Sequence, residues 1–260
     1  MAYKYIDIST FQGKPDFEKV KDHVDGVIIR AGYGQGNHDV QFERNISECN
    51  RLGIPCGVYW FSYAYTEEMA RKEAEYCLKA IKPYRVELPV CFDFEYDSVA
   101  KSKVIINKTL ATKLVHAFCG TIEAAGYYAV NYTNGDYLSR YFDESTLRYD
   151  LWYAAWPSDP DPAKPPRKCG IWQYTSKGSV PGINGNVDMD WAYKDYPAII
   201  RAAGLNNLTK AEAPKQDEPW YAEAQRWAVE NGIADGERPE EAATRAEVWT
   251  MLQRMSKLGN

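Results

Sequence analysis

Eight short runs rich in β-branched and aromatic residues recur along the chain, and their spacing constrains the fold more than any other feature. They are Tyr3–Ser9, Gly26–Tyr33, Pro55–Tyr63, Leu88–Tyr96, Tyr127–Asn134, Asp150–Trp156, Cys169–Thr175 and Asn186–Trp191. Helical patterns follow each of the first five: Asp16–Val24, Val40–Leu52, Glu67–Ile81, Lys103–Ala125 and a short Gly135–Tyr141. The third of these carries Ala70, Ala74, Cys77, Leu78 and Ile81 on one stripe. After the sixth and seventh runs only loop signals remain, among them Pro157-Ser158-Asp159-Pro160-Asp161-Pro162 and Gly178–Gly185. Alternating strand and helix predict a parallel sheet, and eight strands predict closure. The expected fold class is therefore α/β: an irregular TIM-like (β/α) barrel with eight strands and about five helices, plus a small C-terminal helical module.

Of the 260 residues, 45% are hydrophobic and 26% charged, enough apolar material for a sizeable core, which excludes a disordered or fibrous chain. The net charge of −5 gives no sequence-wide basic footprint, so nucleic acid is not an expected partner. Twenty Tyr and eight Trp supply flat apolar faces with polar edges, suited to carbohydrate and equally to a packed core. The six cysteines form no C-x-x-C pair and are read as reduced structural thiols, and the three histidines show no ligand spacing. No metal and no cofactor is expected. The start Met-Ala-Tyr-Lys-Tyr-Ile-Asp lacks the basic and apolar regions of a secretory signal, so the expectation is synthesis in the cytoplasm without a signal peptide. No apolar run approaches the length of a membrane span.

Near Leu205 the pattern changes. Residues 1–205 read as the barrel, 206–218 as a polar linker and 219–260 as a second module. In that module a helix over Tyr221–Asn231 ends before Gly232, and another over Arg245–Lys257 follows Thr244 as N-cap, with Val248, Trp249, Leu252 and Met255 on its apolar side. Two short helices make a thin core, so docking on the barrel or self-association is expected.

The fourth run, Cys91-Phe92-Asp93-Phe94-Glu95-Tyr96, concentrates the chemistry. Period-two geometry sends Asp93 and Glu95 to one face and both phenylalanines to the other, which places two carboxylates inside the barrel near the strand's C-terminal end. The same alternation turns Asp7 inward from the first run, Arg30 from the second, and Asp188 with Asp190 from the last. Crowded carboxylates push their pKa values apart, which provides the protonated and the ionised acid that glycosidic cleavage needs. A salt-bridged structural pair and an oxygen-ligated Mg²⁺ or Ca²⁺ are the competing readings. Tyr59, Tyr63, Tyr132, Trp156 and Gln173 fall at or near strand ends, within reach of a sugar, whereas Trp60, Trp152 and Trp172 read as packing.

The segments Tyr5-Ile6-Asp7-Ile8-Ser9 with Gln12-Gly13, Val27-Ile28-Ile29-Arg30-Ala31-Gly32-Tyr33-Gly34, Gly57-Val58-Tyr59-Trp60-Phe61-Ser62-Tyr63, Asp93-Phe94-Glu95 and Trp172-Gln173-Tyr174 followed by Gly182–Asp188 resemble, in order, family 25 glycoside hydrolases, the N-acetylmuramidase lysozymes. The resemblance implies cleavage of the β-1,4 bond between N-acetylmuramic acid and N-acetylglucosamine in bacterial peptidoglycan. Glu95 is then the general acid and Asp93 the support for the acetamido group or the oxocarbenium-like centre, with Asp7 and Asp188 tuning charge and holding the sugar. Asp190 stands where many members have asparagine. Without a signal peptide, the resemblance implies an endolysin that acts on the cell wall after release. The alternatives are a non-catalytic wall-binding protein on a hydrolase barrel and a glucosaminidase or chitinase. In the tail, Trp220–Ala224, Trp227-Ala228, Asn231–Gly236 and Thr244–Glu247 resemble one S-layer-homology motif, which implies binding of a secondary cell-wall polymer or oligomerisation through residues 219–260.

Overall fold

The computed structural model describes residues 2–208, 221–238 and 241–257. The β-rich runs become β1 (Tyr3–Ile8), β2 (Gly26–Tyr33), a two-residue β3 (Asn37–His38), β4 (Cys56–Phe61), β5 (Val90–Asp93), β6 (Ala129–Asn134), β7 (Asp150–Ala154), β8 (Ile171–Gly178) and β9 (Val187–Ala192). Hydrogen bonding follows the order β1-β9-β8-β7-β6-β5-β4-β2 and returns to β1, so eight strands close into a barrel while β3 hangs on β2 as a hairpin. The pairings from β1–β2 round to β7–β8 are parallel, but β9 runs antiparallel to both β8 and β1. That corrects the expectation of a parallel sheet throughout. Only residues 179–186 join β8 to β9, and a parallel return needs about a dozen residues or more.

Seven helices belong to this unit among the described residues: α1 (Phe17–Val20), α2 (Phe42–Leu52), α3 (Glu67–Ile81), α4 (Tyr96–Ala100), α5 (Lys108–Ala124), α6 (Gly135–Tyr141) and α7 (Tyr196–Ala203). α3 starts where Thr66 Oγ1 accepts the Met69 N–H at 3.2 Å. Its Ala70, Ala74, Cys77 and Ile81 are buried as the stripe predicts, and Leu78 is partly covered. α5 begins at Lys108 rather than Lys103 because Asn107 Oδ1 caps it, accepting the Leu110 N–H at 2.9 Å. α1 is shorter than its pattern suggests, and α4 and α7 are additional to the five expected helices. Among the described residues no helix lies between β7 and β8 or between β8 and β9. Aromatic rings sheathe that stretch instead: Tyr174 stacks on Trp191 at 3.8 Å, and Trp172 meets Trp191 edge-on at 5.2 Å.

Apolar residues fill two layers. Ile6, Val27, Ile29, Val58, Trp60, Phe92, Phe94 and Phe118 pack between strands and helices. Tyr5, Ile28, Cys91, Val130, Trp152 and Ile171 fill the lumen, and Tyr196 and Ile200 of α7 join them. Each such side chain contributes roughly 1.5–3 kcal/mol on burial, so the lumen floor is a packed core. All six cysteines are unpaired, five of them buried. Burial raises the thiol of Cys56 to about 12 and that of Cys169 to about 11.

The chain divides into two compact units, Met1–Lys210 and Ala211–Asn260. Residues 209–218 of the expected linker lie outside the described residues. In the second unit, α8 (Ala222–Glu230) is followed by Gly232 at φ 66°, and α9 (Arg245–Ser256) opens on a capping box. There the Thr244 N–H donates to Glu247 Oε2 at 2.7 Å and the Glu247 N–H to Thr244 Oγ1 at 3.2 Å. Trp227 of α8 and Val248, Trp249, Leu252 and Met255 of α9 are between 41% and 67% exposed.

Asn206, assigned to the linker by composition, is part of the barrel. It sits at φ 56°, a left-handed conformation asparagine tolerates, with its side chain buried. Its Oδ1 accepts the Tyr128 N–H at 2.8 Å, and its Nδ2 donates to Val86 O at 3.1 Å and Leu88 O at 3.0 Å. The residue thus ties the chain ahead of β5 to the chain ahead of β6. Asn206→Ala leaves three backbone groups without their partner and is expected to cost about 3 kcal/mol. Urea denaturation measures this, and a loss below about 0.5 kcal/mol would show that the clamp is not structural.

Candidate active site

Asp7 lies near the end of β1, directly opposite Asp188 of β9 in the antiparallel register. Asp190, two residues on, faces Tyr5 on one side and Gln173 of β8 on the other. From across the barrel, β5 ends on Asp93, and the next residues leave the sheet. Glu95 is therefore not a strand residue, as alternation predicts, but the N-cap of α4, where its N–H donates to Ser98 Oγ at 3.0 Å. The strand is shorter than its sequence pattern, yet Asp7, Asp93, Glu95 and Asp188 still line one cleft of about 290 Å³ at the barrel mouth. Asp190 lies beneath it, fully buried.

None of these five acids forms an ion pair with Lys or Arg among the described residues. Arg30, the expected counter-charge, lines the cleft but is held elsewhere. Its Nε and Nη2 both lie 2.7 Å from Asp39 Oδ2. The salt-bridged reading therefore falls, and for the same group of acids no cluster of three or more potential ligands has metal-holding geometry among the described residues. What remains is protonation. Burial raises Asp7 well above the usual carboxylate range, assisted by the charges of Asp190 and Asp188. Burial raises both Asp93 and Glu95, the charge of Glu95 adding to the rise at Asp93 and the contact with Asp93 offsetting part of it at Glu95, so the two adjoining carboxyls resist ionising together. Asp188 is pushed up to about 6 by burial. Asp190 is raised by burial as well and by the charge of Asp188, although Trp152 Nε1 donates to its Oδ1 at 2.7 Å and the Asp7 carboxyl beside it offsets part of the rise.

Gln173 organises the neutral side of the cleft. Its Oε1 accepts from Tyr132 OH at 3.1 Å and Trp156 Nε1 at 3.2 Å, which turns Nε2 towards Asp7 Oδ2 at 2.8 Å. Two donors on one oxygen fix the amide's orientation. Gln173 is thus a positioning residue more than a free sugar contact, while Trp156, 58% exposed, presents its ring to solvent at the rim. Tyr59 and Tyr132 also line the cleft. Tyr63 does not. It lies in an adjoining cleft, where its hydroxyl accepts from Lys101 Nζ at 3.1 Å. Glu73, a buried carboxylate raised to about 7 by burial, holds that region by accepting the Tyr63 N–H and a Gln35 Nε2–H, each at 3.1 Å.

Sequence reasoning missed Phe11, Phe61, Ser176 and Asp39. Phe11 is 83% exposed on a 3-10 turn, Thr10–Gln12, whose signal was legible: Ser9-x-x-Gln12 is a capping box, with the Ser9 N–H donating to Gln12 Oε1 at 2.9 Å. Asp39 follows the β3 hairpin, where nothing local announces a partner for Arg30.

The family model described as Glycosyl hydrolases family 25 matches residues 6–183. The chain belongs to that family. Among solved structures, this family 25 chain is similar to the modular autolysin LytC from Streptococcus pneumoniae in complex with a synthetic peptidoglycan ligand. The identity is 33% and the TM-score 0.63, over 74% of this chain and 47% of the autolysin. The chain thus spans about half the length of that relative. Similarity of fold extends to the catalytic domain of endolysin ply40 from bacteriophage P40 of Listeria monocytogenes, at 24% identity and TM-score 0.62 over 77% of this chain and 97% of the other. It extends also to a lysozyme from Streptomyces coelicolor, at 22% identity and TM-score 0.64 over 81% and 99%. No curated protein sequence matches. Residues 219–260 lie outside the family match.

Asp190 offers a test of the charge balance. Its folded pKa lies above the unfolded value, so the wild-type carboxyl opposes folding increasingly as pH rises above about 4. Asparagine keeps the Oδ1 acceptor for Trp152 and cannot ionise. The Tm advantage of Asp190→Asn over wild type is expected to widen between pH 4 and pH 8, as read by calorimetry. A constant or shrinking difference would mean that Asp190 is not held protonated.

Proposed function

We propose that this family 25 chain is a muramidase that cleaves the β-1,4 bond between N-acetylmuramic acid and N-acetylglucosamine in peptidoglycan. The observation that carries the reading is the adjoining carboxyls of Asp93 and Glu95 at the mouth, both raised by burial and facing further acids, with no cation paired to any of them among the described residues. A glycosidic oxygen seated at this pair receives the proton from Glu95 as its bond to the anomeric carbon breaks. Asp93, relieved of competition for that proton, faces the positive charge that grows on the sugar ring or orients the acetamido group beside it. Asp188 adds negative potential from the opposite wall where it is ionised, Asp7, aimed by Gln173, holds the sugar beside it, and Trp156, Tyr59 and Arg30 bound the sugar. The place of action on this reading is the bacterial cell wall.

Glu95→Gln keeps the side chain's size and removes the acid. Wall clearing is expected to fall by at least about 10²-fold while pelleting with walls persists. If the wild type pellets but clears nothing, the chain is a non-catalytic wall binder. Mass spectrometry of borohydride-reduced products identifies the bond: muramitol ends support a muramidase, and glucosaminitol ends would assign a glucosaminidase.

For the second unit we infer self-association through the exposed faces of α8 and α9, because two short helices leave Trp227, Trp249 and Leu252 facing water. Leu252→Glu in the full chain is expected to convert an oligomer into a monomer in sedimentation velocity. A monomeric wild type would remove self-association.

A further inference from the structure

A second cleft opens beside the first, sharing Phe11, Arg30 and Phe61 as a common wall. It is the larger of the two, about 460 Å³ against about 290 Å³, and its chemistry differs. Where the first cleft gathers carboxyls, the second carries Arg30, Lys101 and His38, together with the acids Asp39 and Asp97.

Both acids are engaged. Asp39 accepts Arg30 Nε at 2.7 Å and the backbone N–H groups of Thr10 and Gln41 at 3.0 and 2.9 Å. Asp97 Oδ2 accepts Lys101 Nζ at 2.7 Å. The cations keep donors to spare. Arg30 Nη1 has no hydrogen-bond partner among the described residues, and Lys101 Nζ, with three N–H groups, has two assigned, to Asp97 and to the Tyr63 hydroxyl. Apolar surface lies next to these donors: Phe11 and Val40 are 83% and 80% exposed.

We propose that this second cleft binds the peptide stem of peptidoglycan, with Lys101 and Arg30 taking a stem carboxylate and Phe11 and Val40 its small apolar side chains. The inference rests on the muramidase reading. In that substrate the muramic acid at the cut carries a short peptide on its lactyl ether, so the stem departs from the very sugar whose glycosidic oxygen sits at Glu95. A cleft reaching it must adjoin the catalytic one, as this cleft does. The second cleft is formally neutral, its two cations balanced by Asp39 and Asp97, and a stem carboxylate is met there by the spare N–H groups of Arg30 and Lys101. A strand stripped of its stems keeps only the lactyl carboxylate and methyl close to each muramic acid ring, and brings neither a carboxylate nor apolar side chains at peptide length to such a surface.

The test compares soluble glycan strands bearing their stems with the same strands stripped of stems by an N-acetylmuramoyl-alanine amidase. Full-length wild type, Lys101→Met and Val40→Glu are assayed on both. Both substituted side chains are exposed, so the fold tolerates the changes. Wild type is expected to prefer stem-bearing strands. Each variant should lose about 5–10-fold in kcat/KM on them, mainly through KM, and stay within about twofold of wild type on stripped strands. Equal losses on both substrates would place a sugar rather than the peptide in the cleft and overturn the proposal, as would a wild type without preference. If wild type cuts neither substrate, the muramidase reading itself fails and this inference goes with it.

Discussion

Wedged antiparallel between β8 and β1, the last strand sets Asp188 opposite Asp7 and lays Asp190 beside Gln173. No Lys or Arg among the described residues enters that ring to pair with them, because Arg30 is committed to Asp39. Carboxyls gathered in this way cannot all be ionised, and solvent reaches too little of them to relieve the repulsion. The protein resolves the conflict with protons. Burial raises the adjoining Asp93 and Glu95, and Asp7, Asp188 and Asp190 with them. An acid that keeps its proton beside others that lose theirs is what the glycosidic bond requires, so the tension that weakens the fold is also its chemistry.

Such an arrangement works only if the ionised oxygens point the right way, and the neutral groups see to this. Gln173 is clamped by Tyr132 and Trp156 before it reaches Asp7, and Trp152 supports Asp190 from below. The large aromatics therefore serve two purposes. Their rings fill the lumen under the site, and their single polar atoms orient the amide and carboxyl groups above it. Beneath them α7 seals the lower lumen with Tyr196 and Ile200, which leaves the mouth as the place where polar groups meet solvent.

Much of this was legible in the chain itself. Alternation along β1 and β9 located Asp7, Asp188 and Asp190, because period-two geometry survives in any strand regardless of its neighbours. The direction of β9 was not legible from its own residues; it depends on how briefly 179–186 connects it to β8. Glu95 reached the cleft by a different local route from the one its sequence suggests, since Ser98 draws it out of the strand and into a helix cap. Asp39 and Asn206 escaped notice for a common reason. Each acts through partners remote in sequence, Asn206 most of all, and a short polar residue in a loop carries no periodic signature of where it points.

Closing such a sheet around so much hydrocarbon also decides the state of the cysteines. Five thiols are shut inside, and burial holds their protons firmly, so thiolate is scarce at neutral pH. Cys169, less enclosed, is raised too. With thiolate scarce and no two of the six joined, the fold does not depend on a disulfide. A chain built this way needs no cross-link, and no isomerase to sort one, to hold its shape in reducing or in oxidising surroundings.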